Sequence, residues 1–108
     1  MYTRIVQCDI KKDRINDLRH ALPEQIHPIL RTQTGFVDVI ETLDENTGQF
    51  VCMSIWRSRE DADRFGKSND WNLITEGLTP LAATEPTVRT HAVENSTAHQ
   101  IRAGKAAA

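Results

Sequence analysis

From Tyr2 to Ile10 the chain alternates like a strand: Tyr2, Val6, Cys8 and Ile10 fall on one face, with Arg4 the polar exception, and Thr3, Ile5, Gln7 and Asp9 on the other. Lys11-Lys12-Asp13 is a polar break, with Asp13 as a candidate N-cap. The period then becomes helical. Ile15, Leu18, Leu22, Ile26 and Ile29 form one stripe, interrupted by Pro23 and Pro28, so a kink or break near Ala21-Leu22 is expected. Thr32-Gln33-Thr34-Gly35 closes the helix. Phe36–Leu43 and Gln49–Trp56 then read as a β-hairpin around Asp44-Glu45-Asn46-Thr47-Gly48. Ser58-x-x-Asp61 has capping-box spacing and opens a helix that carries Ala62 and Phe65 inward. Asn69 is a candidate cap for a further helix with a Trp71, Ile74, Leu78, Leu81 stripe, which Gly77 weakens and Pro80 ends or kinks. Thr87–Val93 is a last strand, and Glu94–Ala108 carries no stripe and reads as a loose tail.

This order, β-α-β-β-α-β, places the chain in the α+β class. Right-handed crossovers favour a ferredoxin-like four-stranded antiparallel sheet with its helices on one face. Both hairpin strands are apolar on both faces: Phe36 and Ile40 are set against Val37, Val39 and Leu43, and Val51, Met53 and Ile55 against Phe50, Cys52 and Trp56. Two helical regions cover one face only. The other needs a partner, and a second copy of the chain, forming a homodimer through the sheet face, is the simplest one. A different protein would satisfy the same argument.

At 108 residues, 39% apolar and 26% charged, the chain fits one soluble domain, over residues 1–93, followed by the polar and alanine-rich tail 94–108. A net charge of -2 gives no case for nucleic acid or an anionic membrane as partner. No apolar run approaches the ~20 residues of a membrane span, and MYTRIVQCDI enters the first strand without a signal peptide. Cys8 and Cys52, each inside a strand, read as buried reduced thiols, and a cytoplasmic setting is the default.

Two stretches carry a resemblance. Thr34-Gly35-Phe36 opens the second strand, and Trp56-Arg57-Ser58-Arg59-Glu60-Asp61-Ala62 marks a strand-to-helix junction. With the element order, they make residues from Met1 to about Val93 resemble the antibiotic-biosynthesis-monooxygenase-like (ABM) domains of the dimeric α/β-barrel superfamily. The resemblance implies a dimeric α/β barrel. It also implies a cofactor-independent monooxygenase, with no cofactor and no metal, acting on a small aromatic or quinol-like molecule. Chemistry would come from the substrate's electron-rich ring and O₂, with Gln7 and His91 supplying hydrogen bonds to an enolate or phenolate. The haem-degrading branch carries Asn, Trp and His where this chain has Gln7, Phe65 and Ile74 or Thr75, so no axial iron ligand is present at that place. The alternative is a non-catalytic binding or dimerisation module of the same fold.

Gln7 is the most suggestive polar residue of the first strand, although an amide satisfied by backbone or at a dimer face is the plainer reading. Phe65 and Trp71 could wall an aromatic-binding cleft between helices and sheet, or simply be core. His91 sits mid-strand as a conceivable base or a solvated histidine. Trp56 reads as the structural tryptophan of the junction. His20 and His27 lie ~10 Å apart by helical rise and read as surface.

Overall fold

The computed structural model describes residues 1–106. Strand β1 (Tyr2–Asp9) leads through a 3-10 turn (Lys12–Arg14) into helix α1 (Ile15–Ala21), a π-helical segment (Leu22–Ile26) and α2 (His27–Arg31). Strands β2 (Phe36–Leu43) and β3 (Gln49–Trp56) follow, then α3 (Arg59–Gly66), α4 (Asn69–Leu78) and β4 (Thr87–Ala92). The four strands form an antiparallel sheet in the order β2-β3-β1-β4, the split-βαβ arrangement that the element order implies.

Strand alternation sorts the residues of this sheet. In β1, Arg4, Val6 and Cys8 are buried toward the helices, opposite Ser54, Cys52 and Phe50 of β3. The far face carries Thr3, Ile5 and Gln7, opposite Ile55, Met53 and Val51. A bulge between Phe36 and Asp38 shifts the phase of β2. Phe36, Val39, Glu41 and Leu43 consequently share registers with the helix-side residues of β3, while Asp38, Ile40 and Thr42 face away. Uninterrupted alternation wrongly sets Phe36 with Ile40.

The first helical run bends as the prolines require, by widening into a π turn rather than breaking. His27 N–H donates to the Leu22 carbonyl, five residues back, and Pro23 and Pro28 stand at the starts of the π segment and of α2. The wider turn also resolves a register problem. Leu18, Ile26 and Leu30 are buried and Leu22 packs against the same core. A spacing of four drifts by about 40° per step in a regular α-helix, and the π turn absorbs that drift. Leu30 therefore takes the buried position expected of Ile29, which packs at the margin.

Caps are local. Ser58 accepts from Asp61 N–H at 3.1 Å, as its spacing predicts. The cap of α4 is Ser68, accepting from Trp71 N–H at 3.2 Å, and not Asn69. Asp13 caps nothing; it lies inside the 3-10 turn.

The two stretches behind the family resemblance form one joint. Gly35 has φ +81°, its carbonyl accepts from Arg57 N–H at 2.9 Å, and a Cβ built on it would lie 2.6 Å from Asp61 Cβ. Gly35→Ala is therefore expected to cost at least about 2 kcal/mol, from left-handed strain plus overpacking, read as a lower urea midpoint with unchanged slope.

The tail expected to be loose is folded in part. Ser96 and Ile101 exchange backbone hydrogen bonds of 2.8 Å, and β5 (Ile101–Arg102) pairs with β6 (Lys105–Ala106). His99 Nε2 lies 3.1 Å from Asp38 Oδ2, on the face of the sheet that the helices leave open. Ile101 is buried, as is Ile55 of that face. The chain's own tail thus reaches part of the surface assigned from sequence to a second copy.

Candidate active site

Arg4 is the anomaly of the helix-covered face. It is 5% exposed on a strand whose other helix-side residues, Val6 and Cys8, are apolar. Its guanidinium carbon lies 4.4 Å from the ring centroid of Trp71 and 5.2 Å from that of Phe65. Aromatic faces attract a desolvated cation by about 2 kcal/mol or more. Gly66, the last residue of α3, lets that carbonyl end approach: a Cβ there would come within 3.0 Å of Arg4 Nη2. Burial nonetheless pulls the guanidinium below its ordinary pKa, with Cys52 and Asp63 opposing the shift. Arg4 Nη1 is buried and has no hydrogen-bond partner among the described residues.

Arg4 lines a cavity between sheet and helices, together with Glu41, Cys52, Phe65, Trp71 and Ile26 of the π segment. Its volume is about 30 Å³, room for a water molecule. The aromatic wall is continuous. Trp56 stacks on Phe65 with centroids 4.9 Å apart, and Phe65 meets Trp71 edge-on at 5.7 Å. Trp71 is only half-buried and also lines an outer hollow with Thr75, Thr79 and Pro86. Trp71 thus lines both the inner cavity and that hollow.

Glu41 is the second polar group. Its Oε1 accepts from His27 Nε2 at 2.7 Å, while its Oε2 is buried without a partner among the described residues. Glu41 pairs in register with Cys52 across the β2–β3 ladder, and Arg4 pairs with Ser54, the next helix-side residue of β3. Burial, and then the Glu41 charge, push the Cys52 thiol up to about 12. Both cysteines are free. Such a thiol stays protonated and unreactive in the fold. Iodoacetamide at about pH 8 is expected to leave Cys52 unlabelled in native protein and to modify it in urea, read by mass spectrometry. The sign for stability follows: an unfolded thiol titrates near 9.0, so the contribution of Cys52 is complete below that value and is lost as pH rises toward about 12.

The four residues singled out from sequence divide between the faces of the sheet. Phe65 and Trp71 line the cavity, and Phe65 is at the same time part of the buried core. Gln7 and His91 do not reach it. Gln7 is half-buried opposite Val51, and His91 is exposed opposite Thr3, both on the far face and separated by ~13 Å of strand. Alternation in β1 is the reason: the position that points at the helices is Arg4, three residues before Gln7. Arg4, Glu41 and His27 were not candidates from sequence. The available signals were an arginine on an apolar strand face and a carboxylate in an apolar hairpin. His27, read as surface, is half-buried against Glu41. Among the described residues, no three His, Cys, Asp or Glu side chains are grouped to hold a metal ion, and no helix is long and apolar enough to cross a membrane.

Residues 1–76 match the family model described as antibiotic biosynthesis monooxygenase. The chain belongs to that family. The matched stretch includes Arg4, His27, Glu41, Cys52, Phe65 and Trp71. No curated protein sequence matches the chain. Among solved structures, the chain is similar to Rv0793 from Mycobacterium tuberculosis, with 20% identity, TM-score 0.70, and coverage of 89% of this chain and 97% of that one. It is also similar to a monooxygenase from the gene ActVA-Orf6 of Streptomyces coelicolor, solved with the ligand Nanaomycin D, with 14% identity, TM-score 0.75 and 88% of each chain covered. A conserved protein from Methanosarcina mazei Go1 has 16% identity and TM-score 0.69, over 84% of this chain and 91% of that one. At these identities the likeness establishes the fold, and the family match carries the membership.

Proposed function

We propose that the chain is a cofactor-independent monooxygenase of a small aromatic or quinol-like substrate. The observation that carries this reading is Arg4: a buried guanidinium with a free N–H, held between two aromatic rings at the edge of an apolar cavity. A group so placed stabilises a planar aromatic anion, and a dry site strengthens that interaction. An enolate or phenolate held there is electron-rich enough to reduce O₂ itself. For a substrate with an activated methylene, the balance is R₂CH₂ + O₂ → R₂C=O + H₂O. The substrate supplies four electrons; one oxygen atom enters it and the other leaves as water. The name monooxygenase on the Streptomyces coelicolor structure agrees with this reading. Ligand entry requires Trp71 to swing toward the outer hollow.

The protein acts, on this reading, as a homodimer through the far face of the sheet, where Ile5, Val51 and Met53 are half-buried and Ile40 is 48% exposed. Two free cysteines suit a cytoplasmic setting.

A second reading, a non-catalytic binding or dimerisation module, is favoured by the water-sized cavity and by the tight Trp56–Phe65–Trp71 packing. Oxygen uptake separates the two. Purified, metal-stripped protein is offered quinols, polyphenols and β-tetralone beside Arg4→Met, Gln7→Ala and His91→Ala. Saturable uptake that Arg4→Met removes supports the oxygenase at this cavity. Uptake lost instead in Gln7→Ala or His91→Ala moves the site to the far face. No uptake by wild type across the panel leaves the module.

A further inference from the structure

Arg4 and Glu41 present complementary needs to the same cavity. Arg4 Nη1 is a donor without an acceptor and Glu41 Oε2 an acceptor without a donor, both buried. They form no ion pair with each other among the described residues, and Cys52 stands between them in the register. Burying two opposite charges that do not neutralise one another is costly, by several kcal/mol per ion. A ligand that accepts from Arg4 and gives a proton to Glu41 satisfies both.

We propose that Glu41 is the base of this site, that His27 is its positioning residue, and that the substrate class is an aryl compound carrying a carbonyl next to a removable proton. This deepens the oxygenase reading and rests on it for the later steps. His27 holds Oε1, and Oε2 is buried without a partner on a residue that lines the cavity. Oε2 takes a proton from the methylene; the electron pair of that C–H bond passes into the enolate, whose oxygen Arg4 holds. The enolate carbon reduces O₂, forming a C–O bond and a peroxide anion. Glu41 returns its proton to that anion. Loss of the remaining C–H proton to Glu41 then breaks the O–O bond, and the departing hydroxide takes this proton to become water. Glu41 ends as it began.

The groups facing Glu41 are His27 from α2, Cys52 from β3 and Arg4 from β1, the last two lining the cavity with it. Facing His27 are Arg31 on its own helix and, on β2, Glu41 and Asp38; Arg31 and Asp38 line the same surface hollow. The pH dependence of proton removal belongs to this set, with Glu41 as the group whose protonation stops the reaction.

The test needs no oxygen. β-Tetralone, whose methylene lies between an aromatic ring and a carbonyl, is incubated with full-length protein in D₂O under nitrogen, and deuterium uptake at that methylene is followed by NMR. Wild type is expected to accelerate exchange, with the rate falling at low pH. Glu41→Gln, nearly isosteric, lowers the rate about 100-fold or more and removes the low-pH limb, while β-tetralone still quenches tryptophan fluorescence with its wild-type affinity. His27→Gln lowers the rate less and moves the limb. Exchange unaccelerated by wild type, or unchanged in Glu41→Gln, overturns the proposal whatever the oxygen electrode reports. Exchange that depends on Glu41 without oxygen uptake upholds the base and removes the oxygenase reading.

Discussion

Arg4→Met should yield a protein of little-changed stability that binds an aromatic anion about 100-fold more weakly. The wild-type guanidinium is 5% exposed, lowered in pKa by burial, and one of its N–H groups is unpaired. Replacing a buried charge with an apolar side chain of similar length removes its desolvation penalty, a change worth about 1–4 kcal/mol of added stability where measured elsewhere. Against this stands the loss of the contacts to Phe65 and Trp71, about 2 kcal/mol together. The net expectation lies between a loss of about 1 and a gain of about 2 kcal/mol, with binding of an aryl enolate or phenolate weakened about 100-fold, read by equilibrium unfolding and fluorescence titration on one preparation. A core arginine kept only for packing would give a loss of more than about 2 kcal/mol and no change in binding.

Trp56→Ala carries the largest expected loss of stability. Trp56 is 0% exposed, stacks on Phe65, meets Phe36 edge-on at 5.6 Å and donates from Nε1 to Ser54 Oγ at 2.8 Å. Truncation leaves a cavity costing about 3–5 kcal/mol and an unpaired buried hydroxyl costing about 1 more. Against the 5–15 kcal/mol typical of a domain, that is about a third or more of the total. Trp56→Phe keeps the ring contacts and loses the hydrogen bond, and should cost about 1–2 kcal/mol. Unfolding followed by far-UV circular dichroism decides this, since Trp71 continues to fluoresce in both variants.

How much of this was legible in the chain depends on the range of the interactions. The hairpin, the Ser58 cap and the element order are written in local periodicity, and the structure has them. The phase of β2 was not, because a bulge leaves no mark that alternation can read. His27 reads as surface when its angle is measured on a regular α-helix; the π turn before it changes that angle and brings it to Glu41. Arg4 stood out as a misfit, yet its neighbours come from β3, α3 and α4, at least fifty positions away. The cavity is a meeting of distant segments, so its polar members were visible one at a time and not as a set. The tail offers a lone Ile101, too sparse a signal for burial.

The small size of the cavity carries a thermodynamic consequence. On the oxygenase reading, about 30 Å³ of free space makes the arrangement that would receive a ring a minor population of the free protein. Apparent affinity is the intrinsic affinity multiplied by that fraction: an opened form present at about 1% weakens binding about 100-fold. The residues that line the cavity from the first helical run, Leu22, Ile26 and Leu30, would therefore act on affinity through that population. Each methylene they bury holds the fold together and holds a ligand out, so a smaller side chain at one of these positions would trade cohesion for occupancy.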